Sequence, residues 1–203
     1  DSKLSGQIRL IYTMPAVHNP TGRAYSLQKK EALAHRARRH KFFIIEDAYL
    51  GELCAPSLRF FDICPEQTIF IKSFAQTTLA GIRLGFMIVP QNLLEQFVYA
   101  KFCSDISSSG LLQKFLREFI KYGLYTTHLE HVRAQVAMRR RKLEDLLSSF
   151  EYLSINPGQN GYSVWVRSDI NPDSLHPGNA SWNRGEEFSF KPDFRQYFKI
   201  AFM

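Results

Sequence analysis

Residues 8–45 constrain the fold of this chain more than any other stretch. Ile8 to Met14 is an apolar, β-rich run closed by Pro15. Asn19-Pro20-Thr21-Gly22 is a turn signal. Ser26 stands where it caps a helix from Leu27 to about His40. The apolar side of that helix is Leu33, Ala34 and Ala37, while Lys and Arg crowd the other side and the C-terminal end, where they suit the helix dipole. Phe42 to Ile45 is then a continuous apolar run, the pattern of a buried parallel strand. Strand, helix, strand in this order is a βαβ unit, and the chain reads as α/β with a mostly parallel sheet.

Beyond that unit the same patterns continue. Buried strands are expected at Thr68 to Ile71 and at Arg83 to Val89, the latter ended by Pro90. Gln91 to about Phe150 reads as mostly helical. One amphipathic face is Leu93, Leu94, Phe97 and Val98; another is Leu111, Leu112, Phe115, Phe119 and Ile120, stopped near Gly123. A long charged helix follows from about Thr126 to Ser149. Its basic block, Arg139 to Lys142, reads as a solvated helix face rather than a nucleic-acid patch. Tyr162 to Arg167 and Tyr197 to Phe202 are strand-like, with a polar, Pro/Gly-rich stretch between them from Ser168 to Glu187. The expected organisation is an α/β body over 1–123 and a smaller α+β part over 124–203 that includes the long helix.

Composition narrows the function classes. The chain has 203 residues, of which 45% are hydrophobic and 22% charged, enough for a packed core and too apolar for wholesale disorder. The net charge of +7 permits an anionic ligand without proving one. No apolar run reaches the ~18 residues of a membrane span. Asp1 to Ser5 are polar and do not read as a signal peptide. Cys54, Cys64 and Cys103 have no metal-like spacing, and their odd number argues against a disulfide framework, so a reducing, cytoplasmic setting with no metal is expected.

Three groups of residues carry possible chemistry. Asn19 lies in the turn after the first strand, and in open α/β sheets ligands collect at the carboxyl ends of the strands. It is also an ordinary turn residue. Glu46-Asp47-Ala48-Tyr49 ends the second strand, where an acid is costly unless it is paired or faces a site. Asp47 suits a protonated ring nitrogen through a charge-assisted hydrogen bond, and Tyr49 places a phenol on the same rim. The run from Ser73 to Gly85 combines hydroxyls, glycines and one arginine. Ser73 and Arg83 are suitable phosphate ligands, or else Arg83 forms a salt bridge in a polar connection.

Taken together, in this order and spacing, these motifs resemble the class I/II aminotransferase family, the fold-type I pyridoxal-phosphate enzymes. IIEDAYLGEL is most similar to the EDDY-x-x-E-[FL] segment of the MocR/GabR-type regulators, which fuse a GntR-type winged helix-turn-helix to an aminotransferase-like domain. KYGLYTTHLEHVRAQVAMRRRKL is similar to that branch's G-x-x-x-x-H-[IL]-R-R-M-R helix, with His128 and Arg133 on the pattern. The resemblance spans Tyr12 to Phe202. It implies a partial aminotransferase-like large domain followed by a small C-terminal domain. It also implies that Asn19 and Tyr49 contact the phenolic oxygen of pyridoxal 5'-phosphate, Asp47 pairs with its pyridine nitrogen, and Ser73 and Arg83 hold its phosphate. In such enzymes the cofactor does the chemistry and the protein orients and tunes it.

Two positions depart from the family pattern. S-x-x-K places the Schiff-base lysine three residues after Ser73, and here that residue is Gln76, whose carboxamide is neither a nucleophile nor a proton shuttle. The arginine that takes the substrate carboxylate in R-[LI]-x-F is Lys199, which keeps the charge and loses the bidentate fork. Lys72 precedes Ser73 and has no evident route to the same point. The resemblance therefore implies an effector-binding and dimerisation domain of a GntR/MocR-type regulator, without ordinary transamination. Its ligand would be pyridoxal phosphate or a related small anion, and its effector a small amine, amino acid or vitamin. A homodimer is implied, with DNA contacted only through an upstream domain and no membrane contact. The alternative is a pyridoxal-phosphate-dependent aminotransferase in which Gln76 stands, by engineering or error, for a lysine; a degenerate interaction module is a third reading. The phosphate-binding loop, the stacking aromatic and several strands are expected upstream of Asp1. The resemblance also implies a helix of about a dozen residues between Trp165 and Pro177-Gly178, where only Ser168 to His176 stands here, so that residues are expected to be missing near 170–183 or the small domain to be abbreviated.

Overall fold

The computed structural model describes residues 8–156, 160–175, 182–189 and 192–202. Pro177-Gly178 lies outside the described residues. The chain divides into two compact units, one of residues 1–16 and 25–130, the other of 17–24 and 131–203.

The first unit is built on the βαβ pattern. Strands β1 (Leu10–Thr13), β2 (Phe43–Asp47), β3 (Thr68–Ser73) and β4 (Gly85–Ile88) form one sheet in that order. β1–β2 and β2–β3 are parallel, and β4 is antiparallel to β3. Helix α1 (Leu27–His40) connects β1 to β2 and begins where the Ser26 side chain accepts the Lys29 N–H. It ends on Lys41, in a left-handed conformation that returns its N–H to the Ala37 carbonyl. Ala34 and Ala37, fully buried, let the helix lie close on Phe42, Ile44, Phe60 and Cys64. Phe60 belongs to the short helix α2 (Phe60–Ile63).

Burial along β2 alternates rather than running continuously: Phe42, Ile44 and Glu46 are buried, while Phe43, Ile45 and Asp47 are half-buried. Glu46 thus lies inside, on the face of α1 and α2, and Asp47 lies on the other face. The Phe61 N–H donates to the Glu46 carboxylate. Lys30, an apparent surface residue of α1, is also buried and donates to Ser57 Oγ and Leu58 O.

β4 differs from its expectation. It starts two residues later than Arg83, and all four of its residues are exposed; among the described residues it lies at the edge of the sheet, paired with β3. Helices α3 (Leu94–Asp105), α4 (Gly110–Lys121) and α5 (Leu124–Ser148) follow. The expected apolar face of α3 is uncovered at Leu94 and Val98 and half-covered at Leu93 and Phe97. In α4 Leu116 is buried with Phe74, Ile82, Leu84, Tyr125 and Leu129, and the half-buried Leu112 and Phe119 pack against that cluster. Leu111, Phe115 and Ile120 face outward instead.

The second unit is an antiparallel sheet ordered β5 (Leu153–Ile155), β6 (Ser163–Ser168), β8 (Tyr197–Ala201) and β7 (Trp182–Arg184). Val164, Val166 and Phe198 pack with Leu147 of α5 on one side. On the other, Trp165 stacks on Tyr197 at 5.5 Å and meets Phe188 and Phe194. The basic block of α5 is divided. Arg139, Arg141 and Lys142 are exposed as expected, but Arg140 is drawn in and donates to the carbonyls of Gly161 and Ser163. Among the described residues, no helix is long and apolar enough to cross a membrane.

Candidate functional site

The carboxyl ends of the parallel strands form a polar rim on the first unit. Because β1, β2 and β3 are in parallel register and side chains alternate, Tyr12, Asp47 and Ser73 project from the same sheet face. The Tyr12 hydroxyl donates to Asp47 Oδ2 at 2.5 Å, and the Tyr49 N–H donates to Asp47 Oδ1 at 3.1 Å. Burial first, and then this bond to the carboxylate, push the Tyr12 phenol well above its ordinary range. Asp47 is thus oriented from both oxygens and keeps lone pairs for a further donor.

Ser73 begins the second part of the site. Its Oγ accepts the Ala75 N–H at 3.2 Å, which leaves its own proton available to an anion. The chain then makes a tight turn about the Phe74 carbonyl, which accepts from the Thr77 and Thr78 N–H groups and from the Thr78 hydroxyl at 2.6 Å. Gln76 lies in this turn and is exposed. Arg83 is also exposed and holds φ 48°, a left-handed conformation that lets Leu84 return to the Phe74 N–H.

A polar network fixes this turn from below. Lys72 points to the sheet face opposite Ser73 and pairs with Glu52 at 2.5 Å. Tyr125, at the start of α5, donates to Glu52 and meets the Thr77 hydroxyl at 3.1 Å. His128 Nε2 lies 3.1 Å from the Thr77 carbonyl. Lys72 is therefore committed to a carboxylate. Of its partners in the network, Glu52 and His128 stood on the two quoted motifs, while Tyr125 and Thr77 were not singled out in the sequence.

The second unit brings together Asn19 and Lys199. Lys199 Nζ donates to Asn19 Oδ1 at 3.0 Å, and the Phe188 ring lies 5.7 Å away. Around Asn19 the turn is closed by Gly22 N–H to His18 O and by Asn160 N–H to Gly22 O. Burial lowers the Lys199 ammonium below its ordinary range. Among the described residues no group of three metal-type ligands occurs.

These residues suit non-covalent retention of a phosphorylated pyridine. Asp47 offers a charged acceptor, Ser73 a hydroxyl donor and Arg83 a guanidinium. The carboxamide at 76 offers no amine for covalent attachment. A parallel sheet with a carboxylate, a hydroxyl and an arginine at its carboxyl edge, followed by an antiparallel unit, defines an aminotransferase-like protein. The profile described as aminotransferase class I and II matches residues 5–181, and the chain belongs to that family.

Its relatives separate into two groups. One is an uncharacterized HTH-type transcriptional regulator, YcxD, of Bacillus subtilis, 31% identical over 150 residues that cover 72% of this chain and 34% of the relative. The HTH-type transcriptional regulator NorG of Staphylococcus aureus is 28% identical over 173 residues, covering 81% and 38%. Among solved structures, a kynurenine aminotransferase of Pyrococcus horikoshii superposes with a TM-score of 0.86 at 20% identity, covering 99% of this chain and 54% of that one. That likeness shows the fold. The chain spans about a third of the length of these regulators and about half that of the aminotransferase.

Proposed function

We propose that this chain is the effector-binding and dimerisation part of an aminotransferase-like transcription regulator of the GntR/MocR type. It holds pyridoxal phosphate, or a related small anion, without transaminase turnover. The observation that carries this reading is Gln76 in the turn whose neighbours Asp47, Ser73 and Arg83 keep the chemistry of a cofactor rim. Asp47 holds the ring nitrogen, Tyr49 and Asn19 the phenolic oxygen, Ser73 and Arg83 the phosphate, and Lys199 an effector carboxylate. The bound cofactor supplies an electron-withdrawing ring. The chain's own residues bind and orient it, and none at position 76 moves a proton. Similarity to HTH-type regulators over most of the chain supports the regulator over the enzyme. DNA is then contacted by another part of the protein, and a second copy of the chain completes the assembly.

Equilibrium dialysis of the chain against pyridoxal phosphate tests the reading. Saturable uptake that is lost in Asp47→Ala, with no amino transfer from amino acids to added keto acids, is expected. Measurable transamination, or no uptake at all, overturns it.

A further inference from the structure

A cavity of about 360 Å³ lies in the first unit, apart from the rim of Tyr12, Asp47 and Ser73. Its floor is made by the buried Phe74, Leu84 and Leu116, and Gly85 beside them has no side chain to fill the space. Phe74 is adjacent to Ser73 in the chain but serves the other side. Lys72 points to the sheet face opposite Ser73, and its Nζ lies 4.7 Å from the centre of the Phe74 ring, so that ring is on the Lys72 side.

The walls come from α3, α4 and the connection between them. Ile120 of α4 continues the apolar surface and is 46% exposed, so a ligand reaches it. The Gln113 side chain donates to the Ser108 carbonyl at 3.1 Å and ties α4 to the connection, so this wall stands before any ligand arrives. At the mouth the chemistry changes. Two of the lining residues, Lys101 and Arg117, are cationic, and none is acidic. Lys101 is held by both oxygens of Asp105, at 2.9 and 3.0 Å, which offsets its charge. Arg117 is held less. Among the described residues its one carboxylate within ion-pair range is Glu118, 4.0 Å from Nε and beyond hydrogen-bond distance, and Glu118 lies equally far from Lys121. The guanidinium keeps its forked donors for an outside acceptor, and a carboxylate matches that fork.

We infer that this cavity binds small amphipathic carboxylates, with the apolar body against Phe74, Leu84, Leu116 and Ile120 and the carboxylate on Arg117. The charge at the mouth selects the head group, and the apolar floor selects against small hydrophilic anions, which gain nothing from it. The volume falls within the ~300–1,000 Å³ of small-ligand sites. The site is separate from the cofactor rim and does not depend on what that rim holds.

Octanoate is the probe. The full chain, labelled at its leucine and isoleucine methyl groups, is titrated with octanoate and followed by NMR. Saturable shifts of the Leu84, Leu116 and Ile120 methyls are expected. Octanamide, which keeps the apolar body and lacks the charge, should bind about tenfold more weakly. Arg117→Gln should weaken octanoate by a similar factor and leave octanamide unchanged, and the fold tolerates it because the Arg117 side chain is 74% exposed. The absence of saturable shifts overturns the proposal. So do shifts confined to exposed apolar residues such as Leu94 with Leu84 and Leu116 unmoved, which is adventitious adsorption. Equal affinity for octanoate and octanamide, no effect of Arg117→Gln, or acetate acting as well as octanoate also overturns it.

Discussion

Replacing Tyr125 by Phe removes one oxygen from the network under the Ser73–Thr78 turn. The ring is retained, and with it the edge contacts to Phe74 at 5.8 Å and Phe119 at 6.3 Å, so no cavity is made. The hydroxyl donates to Glu52 and also meets Thr77 Oγ1. Glu52 keeps Lys72, and Thr77 keeps the Phe74 carbonyl at 3.5 Å. The loss is thus one hydrogen bond to a charged group that is mostly shielded from water, about 2 kcal/mol. With a urea slope of about 2 kcal/mol per molar, the unfolding midpoint falls by about 1 M. Far-UV circular dichroism is the probe, because both tryptophans, Trp165 and Trp182, belong to the second unit and do not sense this turn. Amide hydrogen exchange at Thr77 and Thr78, whose N–H groups bond Phe74 O, should accelerate in the variant. Tyr122→Phe is the control, since that side chain is 69% exposed, and its expected change is under about 0.5 kcal/mol. A midpoint for Tyr125→Phe no different from the control, with unchanged exchange at Thr77 and Thr78, refutes the claim that the network holds the turn.

A buried carboxyl and a close backbone approach give two further outcomes. Burial raises the Glu46 carboxyl above its ordinary 4.5 despite the Phe61 N–H and nearby Lys30. The folded state then holds this proton more tightly than the unfolded state, and stability falls as pH rises from about the ordinary value through the elevated one. Glu46→Gln removes this contribution, so its stability relative to the parent, read by urea denaturation across that window, should rise with pH; a pH-independent difference rejects the assignment. Gly85→Ala places a Cβ 2.6 Å from the Lys72 carbonyl, where backbone cannot yield cheaply, and should cost about 1–3 kcal/mol by the same denaturation assay; a neutral substitution would show that β4 shifts freely beside Ser73.

The extent of the elements was legible where local chemistry decides it. Helix α1 begins after Ser26 and reaches His40 because a side-chain cap and an Ala-rich apolar side are both written within one turn's reach. The parallel strands were legible for the same reason. What the chain pattern did not contain was the side on which each group falls once strands pair. Glu46 and Asp47 are adjacent acids, and only the register of β2 against β1 and β3 makes one a core residue and the other a rim residue. Tyr12 is separated from Asp47 by 35 positions and looked like a strand aromatic. The faces of α3 and α4 were misplaced because amphipathic spacing gives the period of an apolar stripe and not what covers it. β5 and β7 were missed because three residues are too few for a pattern to form.

The turn that carries Gln76 and the strand end that carries Asp47 are held in different ways. The turn is shaped by bonds of its neighbours: Ala75 N–H to Ser73 Oγ, Thr77 and Thr78 to Phe74 O, and Thr77 to Tyr125. None of these bonds uses the side chain at position 76, which is exposed. Asp47 differs, because its own carboxylate receives the Tyr12 hydroxyl and the Tyr49 N–H, and its loss leaves two donors without their acceptor. The Asp47 carboxylate is thus tied to the ends of β1 and β2 themselves.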